Sequence, residues 1–410
     1  MDAKYLITRL KKKELQVFLL MLPILKPECL DYVFVRIGTL FNIGRVLSVT
    51  IMLVAVLRRR IKVSNVSKII LLLNIWILVT TLINGTEIKG AVLSLLVVTA
   101  MVLIVEYYMN YPFVVLNALF HNFEVIIYLN LLSLILFPNG LYIHGVHDEF
   151  ICYFLGFKNS YMGYCLMAIF LATCNILYNR RYKSSIFLIL ASYAQIVISW
   201  SALSVVAISC VILCLVVFFK LKKIKILKYF SFTMLFVSYV AVNVLVVFFH
   251  ITENVPFIAS FIENVLGKSS TLTGRMDIWN LGIDLLVQKP IIGYGLGQFI
   301  EYRGYTWYGH NQFIELFLEG GIVAVILFII IMILISRKIK RITKTNIYYV
   351  VMASYIGLFI YFIGEAGKLP IFYLFYLITY YSGSYERIFK SRKSRIVKAD
   401  RSGKNNITVP

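Results

Sequence analysis

The chain has 410 residues, of which 60% are hydrophobic and only 15% are charged, and its mean hydropathy is +0.84. Soluble globular domains are roughly half apolar, so this composition excludes that class and indicates a polytopic integral membrane protein. The formal net charge of +22 comes from Lys and Arg in short clusters between apolar runs, a pattern typical of membrane topology and not of a nucleic-acid-binding surface.

Apolar runs of the length of a membrane-crossing helix recur along the chain. A helix needs about 20 residues to cross the hydrocarbon layer, and the runs therefore predict an all-α fold with about twelve transmembrane helices. The first run follows three lysines and has no small-residue cleavage site, which favours a retained span over a cleaved signal peptide. The predicted spans are 15–32, 36–57, 67–84, 89–109, 112–137, 159–178, 184–200, 201–219, 229–250, 312–336, 346–365 and 370–386.

The basic clusters alternate with these spans. Six clusters contain 31 of the 41 Lys and Arg residues and fall on one side of a twelve-span arrangement: residues 1–14, 58–68, 180–183, 220–228, 337–344 and 387–404. The positive-inside rule makes that side the cytoplasm, so both termini are predicted to be cytoplasmic. The loops 138–158 and 251–311 then face outward.

The same pattern predicts the division of the chain. Residues 1–386 form one multispan membrane domain that includes the large extracytoplasmic loop 251–311, and residues 387–410 form a basic cytoplasmic tail. The tail has high charge and no apolar periodicity, which predicts a disordered segment lying against anionic lipid headgroups.

Two arginines lie early in the membrane domain. Arg36 and Arg45 are at and inside the outer end of the second predicted span. Cations within a membrane segment are candidates for a functional role, here as ligands of a second diphosphate, although their side chains can equally reach the interface. On the loop 138–158, His144 stands near His147, Asp148 and Glu149, a group that is interpreted as solvated loop and not as a metal site.

The loop 251–311 carries most of the candidate chemistry. Residues 275–288 have apolar and polar residues at helical spacing and predict an amphipathic helix that ends before Pro290. The alternate glycines Gly293, Gly295 and Gly297 permit either a tight turn or a phosphate cradle. Trp307 belongs to an aromatic run that is typical both of sugar sites and of membrane interfaces.

Polar residues continue into the next span. His310 and Asn311 open it, and Glu315 and Glu319 follow at helical spacing on about the same face. Two carboxylates in the outer half of a membrane helix are costly unless they face a wet cavity. These residues and the loop arginines Arg275 and Arg303 are therefore the candidate site.

The order of these residues resembles the signature loop of the O-antigen ligase and O-antigen polymerase (Wzy-type) superfamily. It consists of Gly274-Arg275, a Trp four residues later, Pro290 with a Gly-x-Gly-x-Gly turn, His310-Asn311, and Glu-Gly-Gly at the head of an apolar run. The resemblance implies a GT-C-like, metal-independent glycosyltransferase of the bacterial cytoplasmic membrane that uses no cofactor and acts on glycans carried by undecaprenyl diphosphate.

The resemblance assigns catalytic roles to His310 and Arg275, whereas Arg303 is included on its chemistry alone. Many members of the family that the chain resembles have Ser-Arg-Ser or Ser-Arg-Gly between two earlier spans, but this chain has Ser199-Trp200-Ser201, so the resemblance does not extend to an arginine contact at this position. Arg is the natural stabiliser of a diphosphate leaving group, and His is the natural base for a sugar hydroxyl near neutral pH. Glu315 or Glu319 is expected to orient the His310 ring.

The predicted function is a polymerase that moves a growing glycan onto the next lipid-linked repeat unit during capsule or O-antigen synthesis. The alternative is a ligase that passes the finished glycan to a terminal acceptor. An exporter or flippase is less favoured, because its charged residues would line a central cavity and not one outer loop. The expected partners are membrane lipids, a flippase and a chain-length regulator, and no nucleic acid is expected.

Overall fold

The computed structural model describes residues 3–144, 150–179, 181–221, 230–264, 274–343, 345–367 and 369–401. These residues form an all-α protein with two small antiparallel sheets in its loops. The predicted loop residues His147, Asp148 and Glu149 lie outside the described residues. The helices are α1 Ala3–Met21, α2 Cys29–Tyr32, α3 Val35–Arg59, α4 Asn65–Asn84, α5 Ile88–Tyr108, α6 Pro112–Leu136, α7 Tyr161–Asn179, α8 Tyr182–Ile198, α9 Ala202–Leu221, α10 Phe232–Val247, α11 Ile251–Asn254, α12 Pro256–Asn264, α13 Arg275–Gln288, α14 Gln312–Ile339, α15 Asn346–Gly364, α16 Ile371–Tyr380 and α17 Ser382–Arg401.

The helices confirm a multi-pass membrane protein. In the described part of the chain, eight helical segments are long and apolar enough to cross a membrane; they comprise α3, α4, α5, α6, α7, α9, α14 and α15 with short extensions. Three further predicted spans coincide with shorter apolar helices, α8, α10 and α16. Large apolar side chains cover the outside of these helices, as on α3, where Leu40 and Leu57 are exposed. Such a surface is stable in lipid and would be unstable in water.

The predicted first span, 15–32, is wrong. Helix α1 ends at Met21, and a turn with buried side chains leads to the short helix α2. Pro23 and Pro27 explain the break, because proline lacks the N–H that an α-helix needs and clashes with the preceding turn. Lys26 is buried in this turn, where its Nζ contacts Asp31 and donates to Oδ1 of Asn42 at 3.1 Å.

The C-terminal prediction also needs correction. The predicted span 370–386 is divided at Tyr381 into α16 and α17, and the backbone of the basic tail is helical through Arg401 where disorder was predicted. The start of α17 is held by packing, because Tyr385 is completely buried. The ion pair between Glu386 and Lys390, 3.3 Å apart at i,i+4 spacing, adds to the helical preference of this lysine- and arginine-rich segment.

The two sheets lie in the loops that the sequence predicts to face outward. Strands β1 Tyr142–His144, β2 Phe150–Tyr153 and β3 Gly156–Phe157 form one sheet, and β4 Ile300–Tyr302 and β5 Tyr305–Trp307 form a hairpin. Helix periodicity alone does not predict either sheet. The β4–β5 hairpin ends three residues before His310 and so leads directly to that predicted site residue.

The packing of long helices brings distant segments together. Helix α15 packs mainly against α9, and α14 packs against α4. The core is densest around α7, α15 and α16, where most side chains are buried. As a result, the start of α13, the start of α14 and the end of α15 meet at one end of the bundle, where the candidate site is found.

Candidate active site

Glu365 is the centre of the candidate site. Its side chain is only 2% exposed, and both carboxylate oxygens are engaged. Oε1 accepts from Nη2 of Arg275 at 2.9 Å and from Nδ2 of Asn159 at 2.6 Å. Oε2 accepts from the Tyr308 hydroxyl at 2.8 Å and lies 3.3 Å from Nδ1 of His310. One carboxylate therefore joins Arg275 and His310, two of the three residues that the sequence predicts to be catalytic.

Helix ends position these side chains. Arg275 is the first residue of α13, after Gly274 in the left-handed conformation. Glu365 directly follows the last residue of α15, and its backbone N–H donates to the carbonyl of Tyr361. His310 precedes Asn311, the N-cap of α14. Residues at helix ends can turn away from the helix axis while the helix itself stays packed, so the site has rigid supports.

The pKa values follow from this geometry. Burial alone would raise the pKa of Glu365, but the charge and hydrogen bond of His310, the charge of Arg275 and the hydrogen bond from Tyr308 outweigh burial and lower it to about 2. Burial and the neighbouring Glu365 raise the pKa of Tyr308 well above its usual range. At neutral pH, Glu365 is thus an anion and Tyr308 a neutral donor.

His310 is held in a strained conformation. Its φ is +45°, a region that non-glycine residues rarely adopt. Tyr308 lies against the imidazole with ring centroids 4.1 Å apart, and the ring of Trp307 is 5.8 Å away. Because Nδ1 faces Glu365, the other ring nitrogen, Nε2, is the one turned away from the carboxylate. Strain of this kind is typical of functional sites.

A second layer of polar residues supports Glu365. Asn159 donates to Glu365 and accepts from the Ser201 hydroxyl at 3.0 Å, while its carbonyl accepts from the Tyr361 hydroxyl at 2.9 Å. Ser201 belongs to the stretch Ser199-Trp200-Ser201. Trp200 is 56% exposed with a φ of +48°, whereas Ser201 is buried and makes the contact with Asn159.

Arg303 is not brought to this centre. It lies with Gly304 at the tip of the β4–β5 hairpin, where both residues have positive φ as a two-residue type I′ turn requires. Its guanidinium lies 5.0 Å from the centre of the Tyr302 ring and is exposed. Among the described residues, no contact joins Arg303 to Glu365 or His310. The catalytic role predicted for Arg303 therefore has no geometric support.

The phosphate cradle predicted at Gly293, Gly295 and Gly297 is also not supported. The N–H of Tyr294 donates to the carbonyl of Leu318 at 2.7 Å, and the N–H of Gly295 donates to the carbonyl of Glu319 at 3.0 Å. A Cβ on Gly295 would lie 2.5 Å from Cα of Thr81. The N–H of Gly293 likewise donates to the carbonyl of Lys289 at 3.1 Å, so the backbone donors of Gly293 and Gly295 are already used. Gly293 packs closely against α14, Gly295 against α4 and Gly297 against Glu87.

A break in α14 frees the carbonyl groups that accept hydrogen bonds from the glycine turn at 293–297. Gly320 and Gly321 have non-helical backbone angles, which frees the carbonyls of the preceding turn. The Thr80 hydroxyl donates to the carbonyl of Glu319 at 2.8 Å, and Nε1 of Trp76 donates to the carbonyl of Gly320 at 2.8 Å. The Glu-Gly-Gly motif is thus the point where the loop is fastened to the helix bundle.

The two carboxylates on α14 lie beside a separate cavity. Glu315 and Glu319 are buried and face a small polar cavity of about 40 Å³ that Asn74, Gln312 and Tyr373 also line. Its volume is sufficient for a water molecule, which is how a membrane helix can carry such groups. Oε2 of Glu315 accepts from the N–H of Gly309 at 2.6 Å, so it supports the backbone before His310. The carboxylate that contacts Nδ1 of His310 is that of Glu365, so the orienting role predicted for Glu315 or Glu319 stays a prediction.

The remaining predicted residues lie elsewhere. Asn311 is completely buried; its Oδ1 caps α14, and its Nδ2 donates to Asn243 and to the carbonyl of Ile363. Arg36 is exposed on α3. Nε of Arg45 donates to the carbonyl of Pro23 at 3.0 Å, so this residue ties α3 to the broken segment after α1. Binding of a second diphosphate by Arg36 and Arg45 stays a prediction.

Sequence reasoning missed Glu365. It stands in Gly364-Glu365-Ala366-Gly367, a lone acid between glycines at the end of an apolar run. An ionisable residue at the end of a membrane span is a signal of function, and that signal was available. Its partners were not predictable, because Asn159, Arg275 and Tyr308 are far from it in sequence.

Part of the chain matches a family of known proteins. Residues 186–329, about a third of the chain, match the family described as O-antigen ligase. This part of the chain is similar to the O-antigen ligase and polymerase superfamily. The resemblance predicted from the loop is thereby confirmed. The region that matches the O-antigen ligase family contains Arg275 and His310, whereas Glu365 and Asn159 lie outside it.

Two curated relatives match over shorter stretches. A Rickettsia conorii protein described as a candidate polysaccharide ligase is 26% identical over 113 residues, which cover 24% of this chain and 28% of the relative. A Rickettsia felis protein with the same description is 27% identical over 99 residues, which cover 20% of this chain and 24% of the relative. The chain thus matches about a quarter of the length of each relative. These descriptions and that of the O-antigen ligase family support the ligase alternative better than the polymerase predicted from the sequence.

Proposed function

We propose that this protein transfers a glycan from undecaprenyl diphosphate to a hydroxyl group of a terminal acceptor, as an O-antigen-ligase-type glycosyltransferase on the outer face of the cytoplasmic membrane. The observation that carries the proposal is the buried Glu365 carboxylate, which holds Arg275 and His310 at one place. A permanent cation and a potential base are the two groups that transfer from a diphosphate carrier requires. The ligase descriptions of the matching family and relatives support the choice of acceptor.

His310 acts as the base in this proposal. In this proposal, Nδ1 of the imidazole carries the proton and donates a hydrogen bond to Oε2 of Glu365. Nε2 is then the nitrogen that can accept a proton. The acceptor oxygen forms a bond with the anomeric carbon as its proton moves to Nε2. The bond between that carbon and the diphosphate oxygen breaks, and its electron pair leaves with undecaprenyl diphosphate. An anionic Glu365 also stabilises the imidazolium that results.

Arg275 acts on the leaving group. One of its five N–H donors is used by Glu365, and the side chain is 21% exposed, so other donors can reach a ligand. A guanidinium can bind two phosphate oxygens at once and remains charged at any relevant pH. It therefore stabilises the negative charge that develops on the diphosphate as the glycosidic bond breaks. Trp307, beside His310, is suited to lie against a sugar ring.

The polymerase is the second candidate, because the signature loop would serve a lipid-linked repeat unit as acceptor equally well. The two functions differ only in which hydroxyl group enters the site. Metal-independent catalysis and cooperation with a flippase and a chain-length regulator are further parts of the proposal.

A reconstituted assay separates the candidates. The purified protein in lipid nanodiscs would receive an undecaprenyl-diphosphate-linked oligosaccharide, either alone or with a terminal acceptor such as lipid A core. A ligase forms product only when the terminal acceptor is present, whereas a polymerase lengthens the donor in its absence. The loss of a general base typically costs on the order of 10²–10⁴-fold in rate, and His310→Ala should show such a loss at unchanged yield. Equal transfer by wild type and His310→Ala would refute the assignment of the base.

A further inference from the structure

A second cavity, unconnected with the Glu365 network, lies between α1, α3 and the junction of α5 and α6. Its volume is about 680 Å³, within the range of protein sites that bind small ligands. One wall is apolar and is formed by Leu19, Leu20, Ile51, Met52, Ala55 and Ile61. The other side carries polar and cationic groups. The cavity is thus amphipathic, with its apolar wall built mainly from α1 and α3.

The cationic side is formed by Lys13 and Arg59. Nζ of Lys13 lies 3.1 Å from the centre of the Tyr111 ring, and Cζ of Arg59 lies 4.9 Å from the centre of the Tyr107 ring. Contact with an aromatic face positions a cation without neutralising it. None of the residues that line the cavity is Asp or Glu, and no carboxylate of the described residues forms an ion pair with either cation.

We propose that this cavity binds an acidic phospholipid, with the phosphate between Lys13 and Arg59 and an acyl chain along the apolar wall. Charge complementarity selects an anion, because two positioned cations face the cavity without a compensating acid. The apolar wall selects a lipid over free phosphate, since burying hydrocarbon there adds binding energy that inorganic phosphate cannot provide. The cavity also lies where the basic clusters 1–14 and 58–68 meet, so the surrounding surface attracts anionic headgroups.

The polar groups of the cavity are arranged for a headgroup. The Tyr108 hydroxyl donates to Oε1 of Gln16 at 3.3 Å, which joins α1 to the end of α5. Asn110 also lines the cavity. A lipid seated here would contact three separate helices, and its loss would weaken the attachment of α1. Binding should therefore raise the thermal stability of the protein.

Lipid binding to the detergent-solubilised, delipidated protein tests the proposal. Phosphatidylglycerol, phosphatidylcholine and inorganic phosphate would be compared by native mass spectrometry and by the shift in unfolding temperature. We expect phosphatidylglycerol to bind and to stabilise, and the other two to do neither. Each cation near an anionic headgroup contributes about fivefold in affinity, so Lys13→Gln and Arg59→Gln should each weaken binding by about that factor.

Matched variants keep the outcome interpretable. Lys12→Gln and Arg58→Gln remove the same charges from exposed neighbours that do not line the cavity, and they should bind phosphatidylglycerol as the wild type does. If Lys12→Gln and Arg58→Gln weakened phosphatidylglycerol binding as much as the cavity variants, general surface charge would explain the binding, and the proposed site would be wrong. Equal binding of phosphatidylcholine, or stabilisation by phosphate alone, would also overturn it.

Discussion

Oε2 of Glu365 lies 3.3 Å from Nδ1 of His310, although 55 positions separate the two residues in the sequence. The contact is buried, since the side chains are 2% and 9% exposed. A buried carboxylate fixes both the orientation and the tautomer of an imidazole. In the proposed function, this contact directs His310 as the base, so Glu365 is the residue whose substitution is most informative.

Glu365→Gln should abolish most of the transfer activity. The amide has nearly the same size, but it has no charge with which to hold Arg275 and can present its N–H₂ group to His310. Loss of a correctly oriented tautomer typically costs on the order of 10²–10⁴-fold in rate. The rate would be measured with the purified variant in nanodiscs.

The matched control for this substitution is Glu301→Gln, which removes a carboxylate from the exposed face of strand β4. The control should retain wild-type activity. Full activity of Glu365→Gln at equal protein amount would show that the contact with His310 has no part in catalysis.

Glu365 should also stabilise the protein in a defined pH range. Its pKa is lowered to about 2 in the folded protein, from about 4.3 in an unfolded chain. A carboxyl whose pKa is depressed by folding contributes stability that is complete above the unfolded value and is lost as the pH falls toward the folded value. The contribution is on the order of 3 kcal/mol.

Unfolding in detergent at a series of pH values measures this contribution. The wild type should exceed Glu365→Gln in stability at pH 5 to 7, and the difference should shrink between about pH 4.3 and pH 2. A constant difference across this range would contradict the ionised, hydrogen-bonded state of Glu365.

Most membrane helices were predictable because lipid imposes a length and a composition on each span. The middle of the chain, from α4 through α7, therefore matches prediction closely. The errors occur where a local rule competes with hydropathy, as at Pro23 and Pro27, which break an apolar run. The candidate site was only half predictable. The signature loop marks Arg275 and His310, whereas the contacts of Glu365 with Asn159, Arg275, Tyr308 and His310 are between residues that are distant in sequence, and no local pattern predicts them.

The two loop arginines should respond differently to lysine. Arg275→Lys should reduce transfer strongly, because an ammonium group cannot bridge Glu365 and a phosphate with the planar geometry of guanidinium. Arg303→Lys should leave the rate within about twofold, because exposed side chains at a hairpin tip tolerate substitution. The same nanodisc assay compares them at equal protein amount. Loss of activity in Arg303→Lys would restore the catalytic role that the sequence predicts.

Two glycines with positive φ should tolerate alanine very differently. Gly321 has a φ of +62°, and a Cβ there would lie 2.1 Å from the carbonyl oxygen of Ile291. Gly304 has a φ of +78° with nothing within 4 Å of the same position. Gly304→Ala should cost only about 1–2 kcal/mol of conformational strain.

Gly321→Ala adds a clash with backbone to that strain and should prevent accumulation of folded protein. Thermal unfolding and purified yield provide the measurement. Similar behaviour of the two alanine variants would mean that the break in α14 does not depend on close packing.

The β4–β5 hairpin should lie on the outer face of the cytoplasmic membrane. Thr306 is exposed on strand β5, and Arg58 is exposed at the basic end of α3. We expect Thr306→Cys to react with a membrane-impermeant thiol reagent in intact spheroplasts and Arg58→Cys to react only after permeabilisation, because basic clusters remain cytoplasmic. Reaction of Arg58→Cys in intact spheroplasts, with Thr306→Cys reacting only after permeabilisation, would contradict the proposed topology.

The position of Glu365 in the chain has a consequence for biosynthesis. The ribosome adds residues in order, so Asn159, Arg275 and His310 are all made before the carboxylate that joins them. Until α15 has been inserted, Arg275 lacks its buried counter-ion and the imidazole lacks its acceptor. A nascent chain that stalls before this point therefore carries every residue of the signature loop and still lacks the assembled candidate site. In the proposed function, activity can then begin only after α15 has entered the membrane.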